Sequence, residues 1–168
     1  MFPSKSDKII VFDVGAYEGK FSIDVCKIFD NLNCYLFEPN SKKFDYLNLN
    51  FYGNKFSVNK IAISNTNTMQ DFYLFSEEGS GNSLIRPTEA PSRIEKVNVV
   101  SIDEFCGINA INLIHILKLD TQGNERNCLE GAKNLLSSGA IHVIMLEIMF
   151  HDTYDTEGSF YSIENIFK

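Results

Sequence analysis

Apolar runs of strand length alternate along this chain with apolar positions at helical spacing, and that alternation predicts a mostly parallel sheet with helices on both faces. "KIIVFDVG" is a first strand; behind it Phe21, Val25, Ile28 and Phe29 make one stripe of an amphipathic helix. "NCYLFEPN" is a second strand, stopped by Pro39, and Phe44, Leu47 and Phe51 then mark a helix capped by Ser41 or Asn40 and ended by Gly53. "FSVNKIAIS" is expected to be one continuous third strand. From Ser64 to Phe105 the alternation lapses, with "DFYLF" and "KVNVVSIDEF" as short strands around a polar segment. Order returns with the strand "INLIHILKLD", a helix face through Leu129, Ala132, Leu135 and Leu136, and the strand "AIHVIMLEIM". A last helix is expected over "SFYSIENIFK", with Phe160, Ile163 and Phe167 on one face. There is no repeat and no linker, and 168 residues suffice for one core, so a single domain over residues 1–168 is expected.

Several classes of function fall away on composition. With 44% hydrophobic and 22% charged residues the balance is globular, and no apolar run approaches the roughly 18 to 20 residues of a membrane span. The first ten residues lack an apolar stretch before a cleavage site, so no export signal is read and a cytoplasmic protein is expected. A net charge of −7 without a basic, aromatic stripe disfavours nucleic acid. Cys26, Cys34, Cys106 and Cys128 are scattered, with no zinc spacing and no disulfide framework, and no metal is predicted.

"DVGAYEG" ends the first strand where a doubly wound sheet places its ligand. Gly15 lets the backbone turn, and Gly19 permits close approach either of a ligand or of helix to strand; a tight turn alone would also use both. The glycines run G-x-x-x-G with Asp13 two places ahead, which disfavours the G-x-G-x-x-G of a pyrophosphate site. A ligand with a cationic amine and a sulfonium but no phosphate suits that acid, as S-adenosylmethionine (SAM) does. Glu38 ends the second strand about 20 residues on, where an acid can accept from both ribose hydroxyls.

The chain resembles the FkbM-type family of SAM-dependent methyltransferases. The resemblance runs in order through "VFDVGAYEGKFS", "YLFEPN", "KIAIS", "NSL", "VVSIDEF", "LKLDTQGNE", "LEGA" and "IMLEI". It implies a Rossmann-like methyltransferase fold, SAM as cofactor, and methyl transfer to a hydroxyl oxygen, often on a sugar or other small molecule. Carried over, Asp13, Gly15 and Gly19 would surround the methionine part, with Ala16 and Tyr17 in the same turn; Glu38, beside Pro39, would hold the ribose, and Ile61 with Ala62 the adenine. Tyr17 stands where the family commonly has asparagine, and Asn124 where a small or aromatic residue precedes the acid of D-x-x-G-x-E.

Transfer to a hydroxyl needs a base at the sheet's mouth. Asp120 and Glu147 end two strands that the resemblance makes neighbours, close enough for one carboxyl to be raised. Period-two alternation puts Lys118 on the face of Asp120, where pairing with one of these acids would explain it. Structural roles compete: Asp120 could cap the helix near Gly123 or Asn124, Glu125 could complement its dipole, and Glu147 could simply pair with Lys118. His151 is the alternative base; His115 is read as a core or sheet-face residue, and His142 lies too far from the ligand edge. Ser76–Lys96 is expected as a lid, with Arg86 and Arg93 facing a small-molecule or glycan acceptor. Only 21 residues (168 − 147) follow Glu147, so one or both terminal antiparallel strands of such folds are expected to be missing, leaving an edge that a homo-oligomer could cover. Two rivals remain: a non-catalytic SAM-binding module and an NAD-dependent oxidoreductase.

Overall fold

The computed structural model describes residues 7–75, 81–148 and 163–167. Five parallel strands, β1 (Ile9–Val14), β2 (Leu32–Phe37), β3 (Phe56–Asn59), β7 (Ile114–Leu119) and β8 (Ile141–Leu146), form a sheet in the order β3-β2-β1-β7-β8. The chain winds outward from β1 in one direction, then returns to β1's other side, so the order reverses between β1 and β7. This is a Rossmann-like arrangement, and the ends of β1, β2, β7 and β8, followed by Gly15, Glu38, Asp120 and Glu147, lie along one edge.

Alternation builds two cores. On one face Ile9, Val11, Cys34 and Leu36 pack with Val25 of α1 (Lys20–Cys26) and Leu47 of α2 (Ser41–Asn50). On the other, Phe12, Val14, Phe37, Leu117 and Leu119 pack with α3 (Ile102–Ile108), α4 (Glu125–Glu130) and α5 (Lys133–Ser137). Asn40 is the cap of α2, accepting at Oδ1 from the Lys43 N–H at 3.0 Å.

Two expectations about the middle of the chain are corrected. "FSVNKIAIS" is not one strand: β3 ends at Asn59, and Ala62–Ile63 forms β4 in a second sheet, of order β4-β6-β5 with β5 (Thr68–Leu74) and β6 (Arg93–Val100). The apolar phase changes here, since Phe56 and Val58 pack on the α1 side whereas Ile61 and Ile63 pack on the other. "KVNVVSIDEF" is a strand only to Val100. Ser101 Oγ accepts from the Glu104 N–H at 3.2 Å and starts α3. Likewise the helix expected through Leu136 is two short ones, broken at Gly131, where a Cβ would stand 2.1 Å from the Ser64 carbonyl oxygen.

Among the described residues β8 is the end strand of its sheet, and Val143 and Met145 on it are exposed. The terminal-strand expectation falls mainly on residues 149–162, outside the described residues, as does most of the last helix; of the latter, a 3-10 turn at Asn165–Phe167 is described. Among the described residues no helix is long and apolar enough to cross a membrane.

Candidate functional site

A cleft open to solvent lies at the carboxyl ends of the strands where their order reverses. The first sheet supplies Val14, Gly15, Phe37, Glu38, Pro39, Asp120 and Thr121, and the second supplies Ala62, Ile63 and Phe72. Ile61 lies at the junction, and Asn82, Leu84 and Asn124 complete the wall.

Glu38 is 6% exposed. Its Oε1 accepts from the Asn40 N–H and its Oε2 from the Tyr17 N–H, both at 2.9 Å. Burial pushes its carboxyl up to about 7, against the pull of those two N–H groups and of Lys118. The acid is thus fixed in position by both turns it touches, with its remaining lone pairs beside the cleft.

The turn Gly15–Gly19 is shaped by the chain itself. Gly15 has φ +71°, and a Cβ there would fall 1.9 Å from the Asp120 carbonyl oxygen. Gly19 has φ +72°, and its Cβ would strike the Phe51 ring at 2.2 Å. Both therefore admit neighbouring chain, the packing alternative raised for such a turn. Tyr17 also has positive φ (52°), and Lys43 Nζ lies 4.0 Å from its ring centroid. Ala16 is buried against the α1 side of the sheet.

Asp13 lies beneath this turn, fully buried, and does not line the cleft. Ser22 Oγ donates to its Oδ2 at 2.7 Å, and Lys118 Nζ stands 3.1 Å from its Oδ1. Lys118 also donates to the Gly15 carbonyl at 2.8 Å and lies 3.4 Å from Asp120 Oδ2. Lys118 therefore joins both acids of its own and the adjacent strand to the turn, and the carboxylate that the cleft itself presents below Gly15 is Asp120.

Asp120 and Glu147 are brought together by Gln122, whose Nε2 donates to Asp120 Oδ1 at 3.0 Å and to Glu147 Oε2 at 2.6 Å. Partial desolvation of the Glu147 carboxyl, on a residue that remains exposed, then the hydrogen bond and charge of Asp120, push it up to about 7. Gln122 has φ 56°, a backbone geometry uncommon outside glycine, and the loop that holds it is tied down. Glu125 accepts from the Thr121 N–H at 2.6 Å, the Thr121 hydroxyl at 3.0 Å and the Gly123 N–H at 3.0 Å, while burial raises its carboxyl. Asp120 caps no helix; Asn124 holds that position, and its side chain donates to the Ile63 carbonyl at 2.8 Å.

Sequence reasoning passed over Gln122 and Asn82 as site residues. Both lie inside motifs, "DTQGNE" and "NSL", that carry the family resemblance, and within the first the acids drew attention instead. Arg93 belongs to strand β6, not to a loop, and pairs with Glu95. It lines a separate cleft with Asn40, Ser41 and Lys42. Arg86 is exposed; residues 76–80 of the expected lid and His151 lie outside the described residues. His115 accepts at Nδ1 from the Ile10 N–H at 3.0 Å and packs edge-on against His142, and burial lowers its pKa.

A mostly parallel, Rossmann-like sheet with an acid at the end of β2 and a cleft where the strand order reverses is the class of fold the chain adopts. The family profile described as "Methyltransferase FkbM domain" matches residues 13–168, and the chain belongs to the FkbM methyltransferase family. Its fold is similar to that of methyltransferase FkbM from Methylobacillus flagellatus KT, with a TM-score of 0.55 and 16% identity over 82% of this chain. The chain spans about a third of that protein's length, the overlap being 32% of it. No curated protein matches.

Proposed function

We propose that this chain is a SAM-dependent O-methyltransferase acting on a hydroxyl group of a small molecule or glycan sugar. The observation that carries the reading is the cleft at the switch point of an FkbM-family fold, where Glu38, which we assign to the ribose, lines the cleft with the apolar Ile61, Ala62 and Phe72. The residues fit the group: an anchored acid for two hydroxyls, an apolar slot for a base, and Asp120 as a carboxylate towards a cationic amine. Asp13 acts from below, through Lys118, on the shape of the Gly15 turn.

Bound SAM supplies an electrophilic methyl on a sulfonium. The chain's own part is to orient the acceptor hydroxyl and take its proton. Gln122 holds Glu147 Oε2, and Oε1 is the atom we assign to the proton. A carboxyl raised to about 7 is suited to exchanging a proton near neutral pH. Asp120 sustains that raised value.

Calorimetric titration with SAM and S-adenosylhomocysteine, NAD as control and Glu38→Ala as the negative, tests the cofactor. Saturable binding of both, absent with NAD and lost in the variant, is expected; NAD binding alone would return the oxidoreductase reading. Methyl transfer from labelled SAM to a panel of sugars and hydroxylated metabolites then tests the reaction.

A further inference from the structure

Asn82, a residue of the cleft wall, carries a donor that is unpaired among the described residues. Asn82 is 8% exposed, and its Oδ1 accepts from the Phe75 N–H at 2.9 Å. That bond fixes which end of the amide is which, so Nδ2 is the atom left over. Among the described residues Nδ2 is buried with no hydrogen-bond partner. An unpaired buried donor disfavours the folded chain and calls for an acceptor that arrives from elsewhere.

Its position is held firmly. The next residue, Ser83, is fully buried; its Oγ donates to the Gln122 carbonyl at 2.7 Å and accepts from the Ile85 N–H at 3.0 Å. The Ser83 backbone pairs with Tyr73 in both directions, at 2.8 and 3.1 Å. Ser83 thus pins the tripeptide to the Gln122 loop, and Asn82 and Leu84 on either side of it line the cleft.

The surroundings select the ligand chemistry. Ile61, Ala62, Phe72 and Leu84 make the wall apolar. A sugar's several hydroxyls would each need a partner there, whereas a flat heteroaromatic ring needs apolar faces and a donor at its edge. Glu38 at the same cleft places a ribose next to that wall. We propose that Asn82 Nδ2 donates to a ring nitrogen of the cofactor's purine, which makes Asn82 the base-reading residue of the site. This rests on the SAM reading above.

The test is calorimetry with S-adenosylhomocysteine and its 1-deaza, 3-deaza and 7-deaza analogues, each of which replaces one ring nitrogen by C–H. Wild type is expected to bind one analogue about tenfold more weakly than the parent, the usual scale of one lost hydrogen bond in a buried site. In Asn82→Leu the parent itself should weaken about tenfold and the penalty for that analogue should vanish. Asn82→Asp keeps the acceptor for Phe75 and guards against a fold defect; it too should lose the discrimination. Equal binding of all four ligands by wild type, or discrimination that survives in Asn82→Asp, overturns the assignment while the cofactor reading stands. Absence of S-adenosylhomocysteine binding overturns both.

Discussion

Replacing Gly15 by alanine separates two reasons for a glycine at the end of β1: room for a ligand or room for the chain. Its Cβ would stand 1.9 Å from the Asp120 carbonyl oxygen and 2.9 Å from the carbonyl carbon, at φ +71°. Gly53 is the control, with φ +88° and nothing within 4 Å. Left-handed geometry costs a non-glycine residue about 1–2 kcal/mol. A stiffer unfolded chain offsets about 0.4–1 kcal/mol of that, so Gly53→Ala should lose about 0.5–1 kcal/mol. Gly15→Ala carries in addition an overpacking cost of about 1–3 kcal/mol. The clashing carbonyl is poorly placed to yield, because Asp120 N–H is bonded to the Val14 carbonyl at 3.1 Å. The total is about 1.5–4 kcal/mol; with a urea slope of about 2 kcal/mol per molar, the midpoint should fall by about 0.8–2 M, against about 0.3–0.5 M for Gly53→Ala. Both melts are run without ligand. Equal midpoints, with Gly15→Ala losing only ligand affinity, would refute the packing argument and return the glycine to the ligand.

Lys118→Met should cost about 3–5 kcal/mol in the same melt by leaving the Asp13 carboxylate buried without its cation, and Asp13→Asn in the same chain should recover much of the loss. A neutral single variant would show that the pair holds nothing together. The Glu147 carboxyl, followed by carbon NMR, should titrate near 7 and move towards the ordinary 4.5 in Asp120→Asn, stopping short because burial, the largest cause, remains. Since its folded pKa exceeds its unfolded one, the folded state holds an extra proton between about 4.5 and 7; this group therefore favours folding at low pH, and that contribution is lost as pH rises through 7. An unmoved midpoint in Asp120→Asn would remove Asp120 from the account. Glu38, raised to about 7, should make S-adenosylhomocysteine bind about tenfold more tightly at pH 8 than at pH 6 as the ribose acceptor ionises, with a flat profile in Glu38→Gln. A flat wild-type profile would mean that the carboxylate is not what holds the ribose.

The five-stranded parallel sheet was legible because its strands and helices carry distinct periods over their whole length. The second sheet was harder to see. Its strand β4 has two residues, and the one-residue change of apolar phase between Val58 and Ile61 is the only local sign that the chain changes sheets. The start of α3 was readable in principle, since Ser101 and Glu104 have capping-box spacing, but Val97, Val99 and Val100 just before it carried the strand reading too far. At the site, strand ends placed Glu38, Asp120 and Glu147 at one edge. What sequence could not show was Asp13's burial between Ser22 and Lys118, which depends on the register of β1 against β7. Nor could it show the reach of Gln122 and Asn82, whose roles depend on side-chain geometry between distant segments.

The division of the cleft wall between two sheets has a mechanical consequence. Among the described residues the sheets share no strand ladder, and they are tied instead by side-chain bonds such as Ser83 to the Gln122 carbonyl and Asn124 to the Ile63 carbonyl. Anything seated between Glu38 and Phe72 would therefore act as a rivet, joining two hydrogen-bonded bodies that the backbone leaves separately laced. Occupancy would then be felt in β5 and β6 as well as at the contact residues, because moving either sheet away would require leaving the ligand behind.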